Sequence, residues 1–219
     1  MCWCSNMKNI GVKDNYVQEL ILQGEHQQQD FKFEISDARK IAKSLSAFAN
    51  TDGGRLLIGV KDNGKIAGVR SDEEAYMIES AANVYCSPEV RFSMTQHRVE
   101  GRVVLEVSIP EAENKPVCAK NEENKLLAYV RIADENILAS PIHLEVWKQK
   151  KGVKGKLIEY TEIEKKLLDK LSDGDFSMNR FCKETGLLRR DVQALIANFV
   201  RFGVVRLQFL NRKWTVTVI

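Results

Sequence analysis

Apolar residues recur at helical spacing through Ala38, Ile41, Ala42, Leu45, Phe48 and Ala49, and the run stops at the double glycine Gly53-Gly54. This pattern predicts a long amphipathic helix opened by Ser36-Asp37 as its cap. The pattern then changes period. Arg55 to Val60 reads as a strand of a sheet interior, Asp62-Asn63-Gly64 as a tight turn, and Lys65 to Val69 as a returning strand that completes a hairpin. Tyr16 to Leu22 predicts a short helix and Asp30 to Phe33 a strand. Glu73 to Cys86 predicts a helix stopped near Pro88. Val90 to Val99 and Arg102 to Ile109 form a hairpin around Glu100-Gly101, followed by a strand over Lys125 to Ile132 and a short one within Pro116 to Lys120. Pro141 to Gln149 reads as a closing helix. Together these predict an α+β layer domain.

A lysine and glycine run, Lys148 to Lys156, has almost nothing to bury. It reads either as a solvated hinge or as a basic tether for phosphate, and it divides the chain into residues 1–150 and 151–219. The second part has its own pattern. Ile163, Leu167, Leu168 and Leu171 mark one amphipathic helix, and Ser177 opens a short second helix carrying Phe181. Gly186 turns the chain into a third helix, Arg189 to Phe202, with Val192, Leu195, Ile196, Phe199 and Val200 on one side. Val204 to Leu210 and Lys213 to Val218 alternate around Asn211-Arg212 as a hairpin. Three helices followed by a two-stranded wing resemble a winged helix-turn-helix domain.

Composition narrows the class. A chain of 219 residues, 44% apolar and 29% charged, can bury one or two proper cores. No apolar run approaches the ~20 residues that span a bilayer. The start, MCWCSNMKNI, lacks the basic and apolar regions of a secretory signal, so a cytoplasmic location is expected. The five cysteines, Cys2, Cys4, Cys86, Cys118 and Cys182, include no C-x-x-C pair. Cys2 and Cys4 read either as metal ligands or as two thiols in a frayed end. The net charge of +3 is unevenly spread: residues 1–150 carry 19 basic against 22 acidic side chains, and residues 151–219 carry 14 against 8. A basic module after a near-neutral one suits contact with a phosphate backbone.

The segment Ser46 to Gly68, SAFANTDGGRLLIGVKDNGKIAG, resembles the signature of the Schlafen-type AlbA-like family, AFANT-x-GG-x-L-x-IGV-x-D-x-G-x-I-x-G, at nearly every position. The resemblance implies a domain associated with DNA binding. Nucleolytic members of the Schlafen branch carry an acidic trio, which the resemblance places here at Glu25, Asp30 and Asp62, with Asp30 in place of the glutamate usual before Phe-Lys. In that reading the acids hold Mg²⁺ or Mn²⁺ to activate water, and Lys32 stabilises the developing charge. Relatives are also labelled ATP-binding or divergent AAA. A phosphate-binding loop, however, runs strand, glycines, helix, whereas these glycines follow a helix and precede a strand, and no Gly-Lys-Ser or Gly-Lys-Thr occurs. Asn50, Thr51, Gly53 and Gly54 therefore read either as a polar nucleotide pocket or as the helix-to-strand turn, and no cofactor is expected outside the nuclease reading.

The winged-helix resemblance makes the third helix the recognition helix, with Arg189, Arg190, Gln193 and Asn198 outward and Arg206, Arg212 and Lys213 on the wing. Leu188 stands where Ser or Thr would usually cap this helix. His26, His97 and His143 show no ligand spacing, and no G-x-S-x-G elbow occurs. The expected protein is a bacterial-type transcriptional regulator that binds duplex DNA as a homodimer. The alternatives are a metal-dependent nuclease acting on structured RNA or DNA, and an ATP-binding or protein-interaction module.

Overall fold

A computed structural model describes residues 8–9, 15–69, 72–150, 160–174 and 176–219. The architecture is α+β and divides into two compact units, residues 1–138 and 139–219. Cys2, Cys4 and residues 151–156 of the lysine and glycine run lie outside the described residues. Among the described residues no helix is long and apolar enough to cross a membrane.

The first unit is built on a mixed sheet of β1 (Lys8–Asn9), β2 (Gln29–Lys32), β3 (Gly54–Ile58), β5 (Ser93–Val99) and β6 (Arg102–Ile109), in the order β1-β5-β6-β3-β2. Strand β2 runs parallel to β3, with Asp30 opposite Leu56, and β6 runs antiparallel to both β3 and β5. Both faces of the sheet are covered, so β3 reads as a continuous apolar run rather than an alternating one. Leu56 and Ile58 face helices α2 (Ala38–Asn50) and α3 (Glu73–Asn83). Leu57 and Phe31 face helix α1 (Asn15–Leu22), with Val17 and Leu20.

A second sheet of β4 (Cys86–Ser87), β7 (Cys118–Lys120), β8 (Leu126–Ile132) and β9 (Glu135–Leu138) is antiparallel throughout, in that order. Helix α2 starts at Asp37, whose carboxylate accepts the Arg39 N–H at 2.8 Å. Every residue from Ser44 to Asn50 is buried. Alanines and serines in that stretch let backbones approach closely on all sides.

Several elements differ from the sequence reading for identifiable reasons. The segment after β3 returns through a single bridge, Val60 to Ile66, rather than as a strand. Gly59, at φ 91°, lies so close to Gly68 that a Cβ there would sit 2.8 Å from the Gly68 carbonyl carbon. The ladder partners of β3 are instead β2 and β6. Helix α3 stops at Asn83, because Cys86 and Ser87 pair with β7 as β4.

The second unit holds α4 (Pro141–Lys150), α5 (Glu162–Ser172), α6 (Met178–Thr185), α7 (Arg189–Arg201) and an antiparallel hairpin of β10 (Val205–Leu210) and β11 (Lys213–Val218). Thr161 and Glu164 form a capping box at the start of α5, and Ser177 caps α6. Gly186 closes α6 in the left-handed conformation at φ 73°. The core joins Leu167, Leu171, Phe181, Val192, Ile196 and Phe199 with Ile142 and Val146. The helix read from the sequence as closing the first domain thus contributes to the core of the second unit.

Candidate functional site

The end of α2 ties two strands together. The register of β7 on β8 pairs Cys118 with Ala128, so Val117 and Tyr129 would form the next rung. Side chains replace that rung. The Asn50 amide donates to Val117 O at 2.7 Å and Tyr129 O at 2.8 Å, and its Oδ1 accepts the Val117 N–H at 2.8 Å. Ser46 Oγ donates to Val117 O at 2.8 Å and accepts the Tyr129 N–H at 3.1 Å. One turn on, Thr51 Oγ1 donates to Ala47 O at 2.7 Å and accepts the Arg131 N–H at 2.9 Å. Asn50 therefore satisfies backbone groups of β8 and of the residue before β7, while Thr51 serves both the last turn of α2, at Ala47 O, and β8, at the Arg131 N–H. Gly53 and Gly54 complete the exit from the helix. A Cβ on Gly53 would meet Ile109 O at 2.8 Å, and one on Gly54 would enter the Phe48 ring.

The neighbouring charged cluster is centred on a residue that the sequence reading missed. Arg131 is 1% exposed and Asp30 4% exposed. Arg131 Nη2 lies 3.3 Å from Asp30 Oδ1 and donates to Gln29 O at 3.2 Å. Its Nη1 donates to Asn136 Oδ1 at 3.0 Å, and the guanidinium sits 5.0 Å from the centroid of the Phe48 ring. Lys32 Nζ reaches Asp30 Oδ2 at 2.7 Å. Such charges persist away from water only when paired and hydrogen-bonded. The signal was present: an arginine inside the otherwise apolar strand LLAYVRI requires an anionic partner.

Glu25 joins this cluster from outside. Its Oε1 accepts the Phe31 N–H at 2.9 Å and so blocks the outer edge of β2. Burial holds its carboxyl above the ordinary glutamate value, reinforced by a hydrogen bond with Asp30, while the Phe31 N–H and Lys32 pull the other way. Asp62 lies in the exposed turn beyond β3. Among the described residues, no three His, Cys, Asp or Glu side chains gather so as to hold a metal ion. The structure thus brings Glu25, Asp30 and Lys32 together and leaves Asp62 outside the group.

The histidines have structural surroundings. His26 Nδ1 accepts the Gln28 N–H at 3.2 Å. His97 is buried, with Nε2 2.8 Å from Glu106 Oε2, and Tyr16 Oη donates to Glu106 Oε1 at 3.0 Å. His143 lies 2.8 Å from Ser140 Oγ through Nδ1, and its ring sits 4.4 Å from Trp214 and 5.8 Å from Trp147. Burial pushes its pKa down to about 4. Burial also pushes the Cys86 thiol up to about 12, which removes its nucleophilic thiolate at neutral pH.

In the second unit, α7 begins at Arg189, and Leu188 at the cap makes no side-chain bond. Arg189 and Arg190 are exposed. Arg189 Nη1 donates to Asn179 Oδ1 on α6 at 2.8 Å, whereas Arg190 Nε lies 3.3 Å from the neighbouring Asp191 carboxylate. At 100° per residue Gln193 shares the Arg189 side of the helix, and Asn198 lies half a turn away from it. Asn198 lies about 80° from Arg190, on the side of the helix turned away from the buried Val192, Ile196 and Phe199. Arg206, Arg212 and Lys213 are exposed on the hairpin. Its turn residues Asn211 and Arg212 have φ of 50° and 60°. That is the geometry of a two-residue turn in which glycine usually takes the second place.

Comparison with known proteins places this geometry in a family. The model of the family described as Schlafen, AlbA_2 matches residues 25–140. No curated protein matches the chain. Among solved structures, the DIP2311 protein from Corynebacterium diphtheriae is 18% identical with a TM-score of 0.46, the match covering 78% of this chain and 32% of that one. The chain thus spans about a third of that protein's length. The N-terminal domain of a protein from Nitrosomonas europaea described as ATP-dependent DNA helicase RecG-related is 22% identical with a TM-score of 0.43, covering 68% of this chain and 96% of that one. The family match takes in the Asn50 clamp, the double glycine and the Asp30–Arg131 pair and spans more than half of the residues: the chain belongs to the Schlafen, AlbA_2 family.

Proposed function

We propose that this protein binds nucleic acid, that its target is duplex DNA, and that contact is made by residues 160–219 acting as a winged helix in a transcriptional regulator. Membership of the Schlafen, AlbA_2 family supports the nucleic-acid assignment. The observation that carries the duplex reading is the arrangement of the second unit. Helix α6, the Gly186 turn and α7 lead directly into a hairpin, and exposed arginines stand both at the start of α7 and at the hairpin turn. A helix of this kind suits the major groove, where arginine pairs two donors with guanine, while hairpin cations meet phosphate. Pairing of two copies would double the few base contacts that one such helix supplies.

The test is fluorescence anisotropy of the full chain with a labelled random duplex across a salt series. Binding that weakens steeply with salt is expected. Arg189→Ala with Arg190→Ala should weaken it and reduce the slope by up to about two, since each lost phosphate or base contact releases fewer counterions. Unchanged affinity and slope would overturn the assignment.

A further inference from the structure

The two exposed arginines that open α7 are not equivalent. Arg190 faces the carboxylate of Asp191, its own chain neighbour, which offsets its charge. Arg189 is held instead by a neutral group, the Asn179 carbonyl oxygen, across a span of ten residues from the first turn of α6. An amide bonded to a guanidinium leaves the full positive charge in place. At a water-exposed position such a bond adds little to fold stability, because water competes for both partners. Its physical effect is to restrict a side chain that would otherwise sample many rotamers. One of five N–H donors is used, so the fork required for a guanine edge remains.

The geometry points to Asn179 as a positioning residue that presents Arg189 to a base edge, making Arg189 the specificity-determining side chain and Arg190 a lesser contributor. This inference rests on the duplex-binding reading above. Holding a long side chain in its bound geometry before binding removes part of the ordering cost of association. Asn179 therefore acts on recognition through Arg189 and not as an independent contact.

The experiment is a double-mutant cycle on the full chain, with a fluorescein-labelled duplex recovered from a randomised 24-base-pair pool by the unaltered protein. Asn179→Ala is expected to weaken binding to that duplex about three- to tenfold. It should leave affinity for an unselected random duplex and the thermal midpoint unchanged. Arg189→Ala should cost more on the selected duplex, and adding Asn179→Ala to it should cost nothing further. Asn179→Asp keeps the hydrogen bond but neutralises the guanidinium, and should reduce the salt slope by about one. Losses from Asn179→Ala and Arg189→Ala that add in the double variant would overturn the positioning role while leaving duplex binding intact. An unaltered protein that shows no salt-dependent binding to any duplex would overturn the function itself, and the positioning role with it.

Discussion

Removing the Arg131 guanidinium would leave the Asp30 carboxylate buried with only Lys32 against it. Arg131→Ala is therefore expected to cost about 3–5 kcal/mol of stability in urea unfolding of the full chain, the range for breaking a buried ion pair. A cost within ~0.5 kcal/mol would show that the pair has no such role. His97 makes a second prediction at this scale. Its Nε2 bonds the Glu106 carboxylate, and its Nδ1 is buried without a hydrogen-bond partner among the described residues. The neutral ring should carry its proton on Nε2, and the ¹⁵N shifts of the two ring nitrogens report this directly. His143 makes the third. Its pKa is pushed from 6.5 down to about 4, so the unfolded chain takes up the proton first as pH falls. Its contribution is complete above pH 6.5 and is lost as pH falls from 6.5 towards 4, by at most ~1.4 kcal/mol per pH unit. Urea midpoints across that window should decline, and His143→Phe should flatten the decline. Little of this was legible in the sequence. Spacing identifies metal ligands and catalytic motifs, but a histidine or arginine whose partners come from distant strands leaves no local pattern.

At the scale of elements, the Asn50 clamp and the hairpin turn invite opposite tests. Asn50→Ala deletes the three hydrogen bonds to Val117 and Tyr129 and strips the Val117 N–H and the Tyr129 carbonyl of their Asn50 partner, while Ser46 still serves the Val117 carbonyl, at ~1–3 kcal/mol for each buried group left unsatisfied. The amide of Val117 should lose protection from hydrogen exchange before the rest of the first unit does. At the hairpin, Arg212 holds a left-handed conformation that costs an ordinary residue roughly 1–2 kcal/mol. Arg212→Gly should therefore raise the thermal midpoint while weakening duplex binding. A variant that is both more stable and equally tight would remove Arg212 from the interface. Elements with strong periodicity, α2, α5 and α7, were legible in the sequence to within a residue or two, because each buries a single stripe. The return strand after β3 was misread, because turn residues announce that the chain reverses and not which strand it will pair with. The two-residue β4 and the four-residue β9 are too short to show a period at all.

For the whole molecule, the important departure from the sequence reading is the allegiance of α4. Its Ile142 and Val146 are buried with Leu167, Val192 and Ile196. A fragment starting at Ala139 should therefore melt cooperatively, whereas one starting at Lys151 should be markedly less stable, as circular dichroism during heating would show. Charge composition places the basic surplus in the C-terminal part, and it does so independently of where the helix belongs. A lysine run marks where a chain is solvated, but the limits of a core are set by which apolar side chains meet, and those of α4 find their partners beyond the run.

The missing rung between Val117 and Tyr129 also has a consequence for the order in which the first unit assembles. Strands β7 and β8 have no complete ladder of their own at that point, so their alignment waits on a helix that lies far earlier in the chain. Until α2 is in place, the second sheet is held only by the rungs its strands make with one another. The two should therefore gain protection together during refolding, and a chain in which α2 is delayed would hold its later strands back with it.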